Sequence, residues 1–218
     1  MSSGLIGADY YIPVVMESDT LPVAKGRPRE FCVDQALAEA LRVFWAKGYD
    51  GASMADLTEA MGITKPSLYA AFGNKEALFH KALDLYESEK LDYTRAALEQ
   101  PTARAVAEYY LRGALDRHCG AEDPKGCMGL LGTLACSPEA DSIKADVVRR
   151  RASSQRALVD RFARAKAEGD LPDHIDPEGL TGHMLAILQG LTVQASAGAP
   201  RADLERLVET SLALWPSK

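Results

Sequence analysis

Apolar residues recur at three- and four-residue spacing along most of the chain. The alternation that marks strands is nearly absent after Val15. This pattern predicts an all-α protein of about nine helices. The first runs from Asp34, a candidate N-cap, to about Lys47, with Ala36, Leu37, Ala40, Leu41, Phe44 and Trp45 as its buried stripe. After the turn Gly48-Tyr49-Asp50-Gly51, Ser53 caps a short helix whose apolar side is Met54, Leu57, Ala60 and Met61. Gly62 ends it, and Ile63 is a buried spacer. Thr64 then caps a helix with Pro66 in its first turn and Leu68 and Phe72 facing inward.

The remaining helices follow the same reading. One long helix is predicted from Lys75 to about Glu99, carrying Leu78, Phe79, Ala82, Leu83, Leu85 and Tyr86 on its apolar side. Thr102 to His118 forms the next, with Val106, Tyr109, Tyr110, Ala114 and Leu115 inward. A short apolar helix covers 128–136. Ser137-Pro138-Glu139 opens another that runs to about Glu168, with Arg149, Arg150, Arg151, Arg156 and Arg161 on outer faces among Asp146, Asp160 and Glu168, a solvated surface. Asp176-Pro177 opens a helix to about Ala197 that is apolar nearly all round. Ala202 to Leu214 is the last.

Two short helices at a tight turn, the second with Thr64, Lys65, Ser67, Tyr69, Ala70 and Ala71 left for outer faces, have the form of a major-groove reader. Lys65, Tyr69 and Lys75 are candidate phosphate contacts, as is Ser53 at a helix N-terminus. Thr64, Ser67 and Ala70 suit base edges or a thymine methyl. No arginine on this helix is available to grip guanine. That shifts weight to the basic arm "KGRPR" just upstream, whose Arg27 and Arg29 are candidates for the minor groove.

The segment "MADLTEAMGITKPSLYAAFGNKEALF", with the preceding "ALAEALRVFWAKGYDGAS", resembles the DNA-binding head of the TetR family of bacterial transcriptional regulators. The hallmark positions are Tyr69, Phe72 and Lys75-Glu76. The resemblance covers roughly a quarter of the chain. It implies a homodimer joined through the last two helices, a helical C-terminal domain that binds a small-molecule effector, and repression relieved by that molecule. It also makes the helix from Lys75 a lever between domains. The organisation expected is a leader over 1–24, a head over 25–80 with its reading pair at about 53–72, and an effector-binding and dimerisation domain over 81–218. Met16 is a candidate true start within the leader.

Charge modifies this picture. The net charge is −6, and residues 24–76 carry seven basic and seven acidic residues. DNA affinity must then rest on where the cations sit, because phosphate contact needs local positive charge. No apolar run reaches membrane length, and the first residues lack the cations of a secretory signal, so a cytoplasmic protein without a membrane partner is expected. No glycine-rich phosphate loop, metal-ligand pair or nucleophile motif is present, so neither enzyme activity, nor a cofactor, nor a metal is expected.

For the effector, Tyr86, Tyr109, Tyr110, His118, Met128, His183 and Met184 are candidate lining residues on helices of the second domain. Cys127 follows a loop and has Lys125 nearby, a setting that makes a thiol reactive. Its "GC" resembles a TetR subgroup that includes sensors of electrophiles and oxidants. A thiol-sensing regulator, or a helical ligand binder without DNA contact, is the alternative.

Overall fold

The computed structural model describes residues 32–120, 124, 126–129 and 140–216. Arg27, Arg29, Lys125, Cys136 and the predicted helix start at 137–139 lie outside them. Among the described residues all regular structure is helical: α1 Val33–Gly51, α2 Met54–Ala60, α3 Lys65–Phe72, α4 Lys75–Lys90, α5 Asp92–Leu98, α6 Ala103–His118, α7 Asp141–Ala167, α8 Pro177–Ser196 and α9 Arg201–Ala213.

These are nine helices among the described residues, but not the nine of the sequence pattern. The helix expected from Lys75 to Glu99 is broken at Leu91, whose φ of −112° and ψ of 16° leave the helical region. Both resulting helices keep an inward apolar side, so periodicity does not register the break. The predicted 128–136 helix falls largely outside the described residues. The cap of α1 is Cys32 rather than Asp34, which sits in the first turn where an acidic group favours the helix dipole.

Two apolar cores organise these helices. One joins α1 to α4 around Phe44, Trp45, Leu57, Leu68, Phe79 and Tyr86, and takes in Met128, Ala140, Ile143 and Val147 from beyond the head. The other joins α5 to α9 around Tyr110, Leu111, Leu158, Phe162, Met184 and Leu204. Aromatic edges lock the first: Phe44 meets Phe79 at 5.1 Å and Trp45 meets Tyr86 at 4.9 Å, both T-shaped.

Several outward or inward assignments change once the helices pack. Arg161 is buried, its guanidinium donating to the Leu98 and Gln100 carbonyls at 3.1 and 2.7 Å, where it satisfies the end of α5. Asp146 is buried and Arg150 half-buried, so this stretch of α7 is an ion-paired contact with α4 rather than a solvated face. Arg150 reaches Asp84, Glu87 and Asp146 at 2.7, 2.8 and 3.0 Å, and His80 meets Asp146 at 3.0 Å. Burial alone would lower the Arg150 pKa; the hydrogen bonds its guanidinium donates to Asp84 and Glu87 outweigh it and raise the pKa. Tyr109 points out of α6 and Ala60 out of α2.

Candidate functional site

Local hydrogen bonds build the start of α2 and the turn from α2 into α3. The Ser53 hydroxyl accepts from the Asp56 amide at 3.1 Å, and the Asp56 carboxylate accepts from the Ser53 amide at 2.9 Å, a reciprocal capping box. Lys47 of α1 reaches the same carboxylate at 2.6 Å. Lys47 and then Ser53 hold the Asp56 pKa well below the usual carboxylate range. Gly62 stands at φ 64°, a left-handed position that a residue without Cβ adopts freely, and turns the chain into α3. There Thr64 caps the helix through the Ser67 amide at 3.3 Å.

On α3, Leu68 and Phe72 are buried against the head core, and this fixes which residues look outward. Thr64, Lys65, Tyr69 and Ala70 are exposed and Ser67 is half-buried. Tyr69 is 44% exposed, so it is a surface tyrosine and not a core one. Lys65 lies 6.0 Å from its ring centroid, at the limit of a cation–π contact. Lys75, at the start of α4, sits 4.5 Å over the ring of Tyr49, and burial lowers its pKa. Ser53 is exposed, with its hydroxyl already engaged by Asp56.

A cavity of about 160 Å³ lies between α4, α5, α6, α7 and α8. Tyr86, Tyr110 and His118 line it, together with Tyr93, Cys127, Gln155 and Thr192. The other candidate lining residues lie elsewhere: Tyr109 and His183 are exposed, while Met128 and Met184 are buried within the two cores. Tyr93 was not among the sequence candidates because its place on α5 depends on the break at Leu91. Glu87, Arg150 and Arg151 also line the cavity, so its wall is not uniformly neutral. Burial pushes the Tyr86 and Tyr93 hydroxyls up and Tyr110 to about 12, and lowers His118 to about 4. Among the described residues no cluster of His, Cys, Asp and Glu could hold a metal, and no helix is long and apolar enough to cross a membrane.

Known proteins share this arrangement. Residues 36–82 match the family described as "Bacterial regulatory proteins, tetR family". The HTH-type transcriptional repressor ComR of Escherichia coli (strain K12) is 34% identical over 88% of this chain and 93% of its own. The HTH-type transcriptional repressor BdcR of the same strain is 31% identical over 85% and 88%. A cysteine mutant of the TetR family transcriptional regulator CifR, solved with 26-bp double-strand operator DNA, is 42% identical and superposes with a TM-score of 0.82 over 87% of this chain and all of that one. With a capped helix-turn-helix head over a helical body, and full-length relatives at this identity, the chain belongs to the TetR family of bacterial transcriptional regulators.

Proposed function

We propose that this protein is a homodimeric repressor that binds a palindromic double-stranded operator and releases it when a small molecule fills the cavity. The observation that carries the DNA reading is the outward row Thr64, Lys65, Tyr69 and Ala70 on a helix pinned from behind by Leu68 and Phe72. Such a helix enters a major groove without rearranging its support. Lys65, Tyr69 and Lys75 are assigned to phosphates, and Thr64, Ser67 and Ala70 to base edges. Similarity to ComR, BdcR and DNA-bound CifR supports repression by operator binding. We divide the chain functionally at about residue 80, into a DNA head and an effector and dimerisation domain, and place its work in the bacterial cytoplasm, where the chromosome is.

The dimer is assigned to α8 and α9. A Cβ built on Gly182 or Gly190 would meet nothing within 4 Å, and Val193 is 49% exposed on the same helix. Such a bare, small-residue surface accepts the matching helix of a second copy, giving a four-helix seam. Two heads would then face successive major grooves roughly 34 Å apart or a multiple of that.

The effector is assigned to the cavity. Its size suits a compact molecule, since an engineered cavity of about 150 Å³ holds benzene. Tyr86, Tyr93, Tyr110 and His118 give the cavity an uncharged side that suits an apolar part of the ligand, while Glu87, Arg150 and Arg151 also line it and leave a polar or charged group acceptable there. The test is a mobility shift with DNA from upstream of the protein's own gene, paired with sedimentation of the free protein. A monomer, or a dimer indifferent to that DNA and to random duplex, sinks the proposal.

A second reading has one observation in its favour: Cys127 lines the cavity and hydrogen-bonds with Tyr86. In it, an electrophile modifies this thiol and releases DNA. A mild alkylating agent that leaves operator affinity unchanged, or acts equally on Cys127→Ser, removes it.

A further inference from the structure

One backbone carbonyl is shared by the head and the effector domain. The indole Nε1–H of Trp45, on α1, donates to the Gly126 oxygen at 2.8 Å. His118, the last residue of α6, meets the same oxygen through Nδ1 at 3.1 Å. A carbonyl only accepts, so Nδ1 carries the proton. Trp45, His118 and Gly126 are all buried.

The two residues that follow extend this junction. Cys127 lines the cavity and interacts with the Tyr86 side chain, and the Met128 amide hydrogen-bonds with the Tyr86 hydroxyl. Met128 itself is fully buried in the head core. Tyr86 in turn stacks edge-on against Trp45 at 4.9 Å. Three consecutive residues therefore touch α1, α4 and α6, and the middle one faces the cavity.

We propose that Trp45 and His118 are positioning residues that report occupancy of the cavity to the DNA head through the Gly126 carbonyl. The inference rests on the cavity being the effector site. A ligand seated beside Cys127 displaces the 126–128 segment, and the carbonyl cannot then keep both donors. The Trp45 donor sits on the helix that packs against α4 and leads into α2, so losing it changes how the reading pair is held. A hydrogen bond made or broken at a buried site is a discrete switch, which coupling between distant sites requires.

The experiment uses the full chain with Cys127 as sole cysteine (Cys32→Ser, Cys119→Ser, Cys136→Ser) and iodoacetamide as the probe. The thiolate attacks the probe's methylene and iodide leaves, so a compact uncharged carboxamidomethyl group enters the cavity. Affinity for the DNA upstream of the gene is read by fluorescence anisotropy. The Trp45 indole N–H resonance is read by NMR in a Trp215→Phe background. Modification is expected to move that resonance to the position of an indole without its hydrogen bond, and to weaken operator binding by about 5–150-fold. In Trp45→Phe and in His118→Leu the unmodified protein already binds weakly, and modification changes little. His118→Asn, whose amide also donates, restores the fold-change, a rescue that mere packing would not show. If affinity falls while the Trp45 resonance stays, or if both donor-removing variants keep the full fold-change, the junction is wrong and the effector cavity stands. If modification alters neither readout, the cavity is not the effector site and the junction falls with it.

Discussion

Gly113 of α6 and Tyr93 of α5 are packed so closely that a Cβ on the glycine would lie 2.5 Å from Tyr93 Cδ2 and 2.9 Å from its Cβ. The second distance is decisive, because a Cβ cannot swing aside as a side-chain tip can. Gly113 thus lets α5 approach α6 and sets where the Tyr93 ring enters the cavity wall. Gly113→Ala is expected to lower stability by about 1–3 kcal/mol through overpacking. It should also shift the near-ultraviolet tyrosine signal. Chemical denaturation measures the first, and an unchanged midpoint would contradict the packing argument.

Lys65→Ala is expected to weaken binding to operator and random duplex alike, and to reduce the salt slope of log K by about one. Lys75→Ala should act in the same direction, since its ammonium over Tyr49 stands beside the reading pair. Binding isotherms across a salt series decide this. Unaltered slopes in both variants would remove these lysines from the phosphate contacts.

Ser53→Ala removes one side of the capping box and is expected to cost about 0.5–2 kcal/mol. The other side carries a pH signature. The folded-state pKa of Asp56 is depressed, so its contribution is complete above the unfolded value of about 4 and is lost as pH falls below it. Asp56→Asn should flatten the acid limb of a stability–pH curve. A limb as steep as wild type would show that other carboxylates govern it.

His118 has the opposite chemistry with the same sign. Burial lowers its folded pKa to about 4, against roughly 6.5 unfolded. Between those values the unfolded chain binds a proton that the folded one refuses, so stability rises with pH across that window. The loss on acidification amounts to about 3 kcal/mol. His118→Asn should remove most of it, as read from urea midpoints at neutral pH and near pH 4.

Val193→Asp places a charge on the exposed face of α8 and is expected to yield a monomer by light scattering, with operator binding lost in parallel. A dimer that persists in this variant would move the interface elsewhere.

The head was legible from its residues because its signals are local. Ser53 and Thr64 cap helices, Gly62 turns the chain, and Leu68 and Phe72 lie four residues apart; each acts within one or two turns of backbone. The reciprocal partner Asp56 stood three residues after Ser53 and was readable by the same rule. The cavity was legible only in part. Tyr86, Tyr110 and His118 were chosen as aromatic or polar residues on the right helices. Tyr109 and His183 satisfied the same description and lie outside the cavity, as do the two candidate methionines, Met128 and Met184.

What the sequence by itself determined is the helical content, the order of most helices, and the reading pair with its outward row, because helical periodicity and capping depend on neighbours a few residues away. What only the tertiary structure decided is the break at Leu91, the burial of Arg161 and Asp146, the enclosure of Cys127 and Tyr93 around one cavity, and the sharing of Gly126 between Trp45 and His118. Those depend on pairs as far as 81 residues apart, whose meeting is set by how whole helices pack and leaves no periodic trace along the chain.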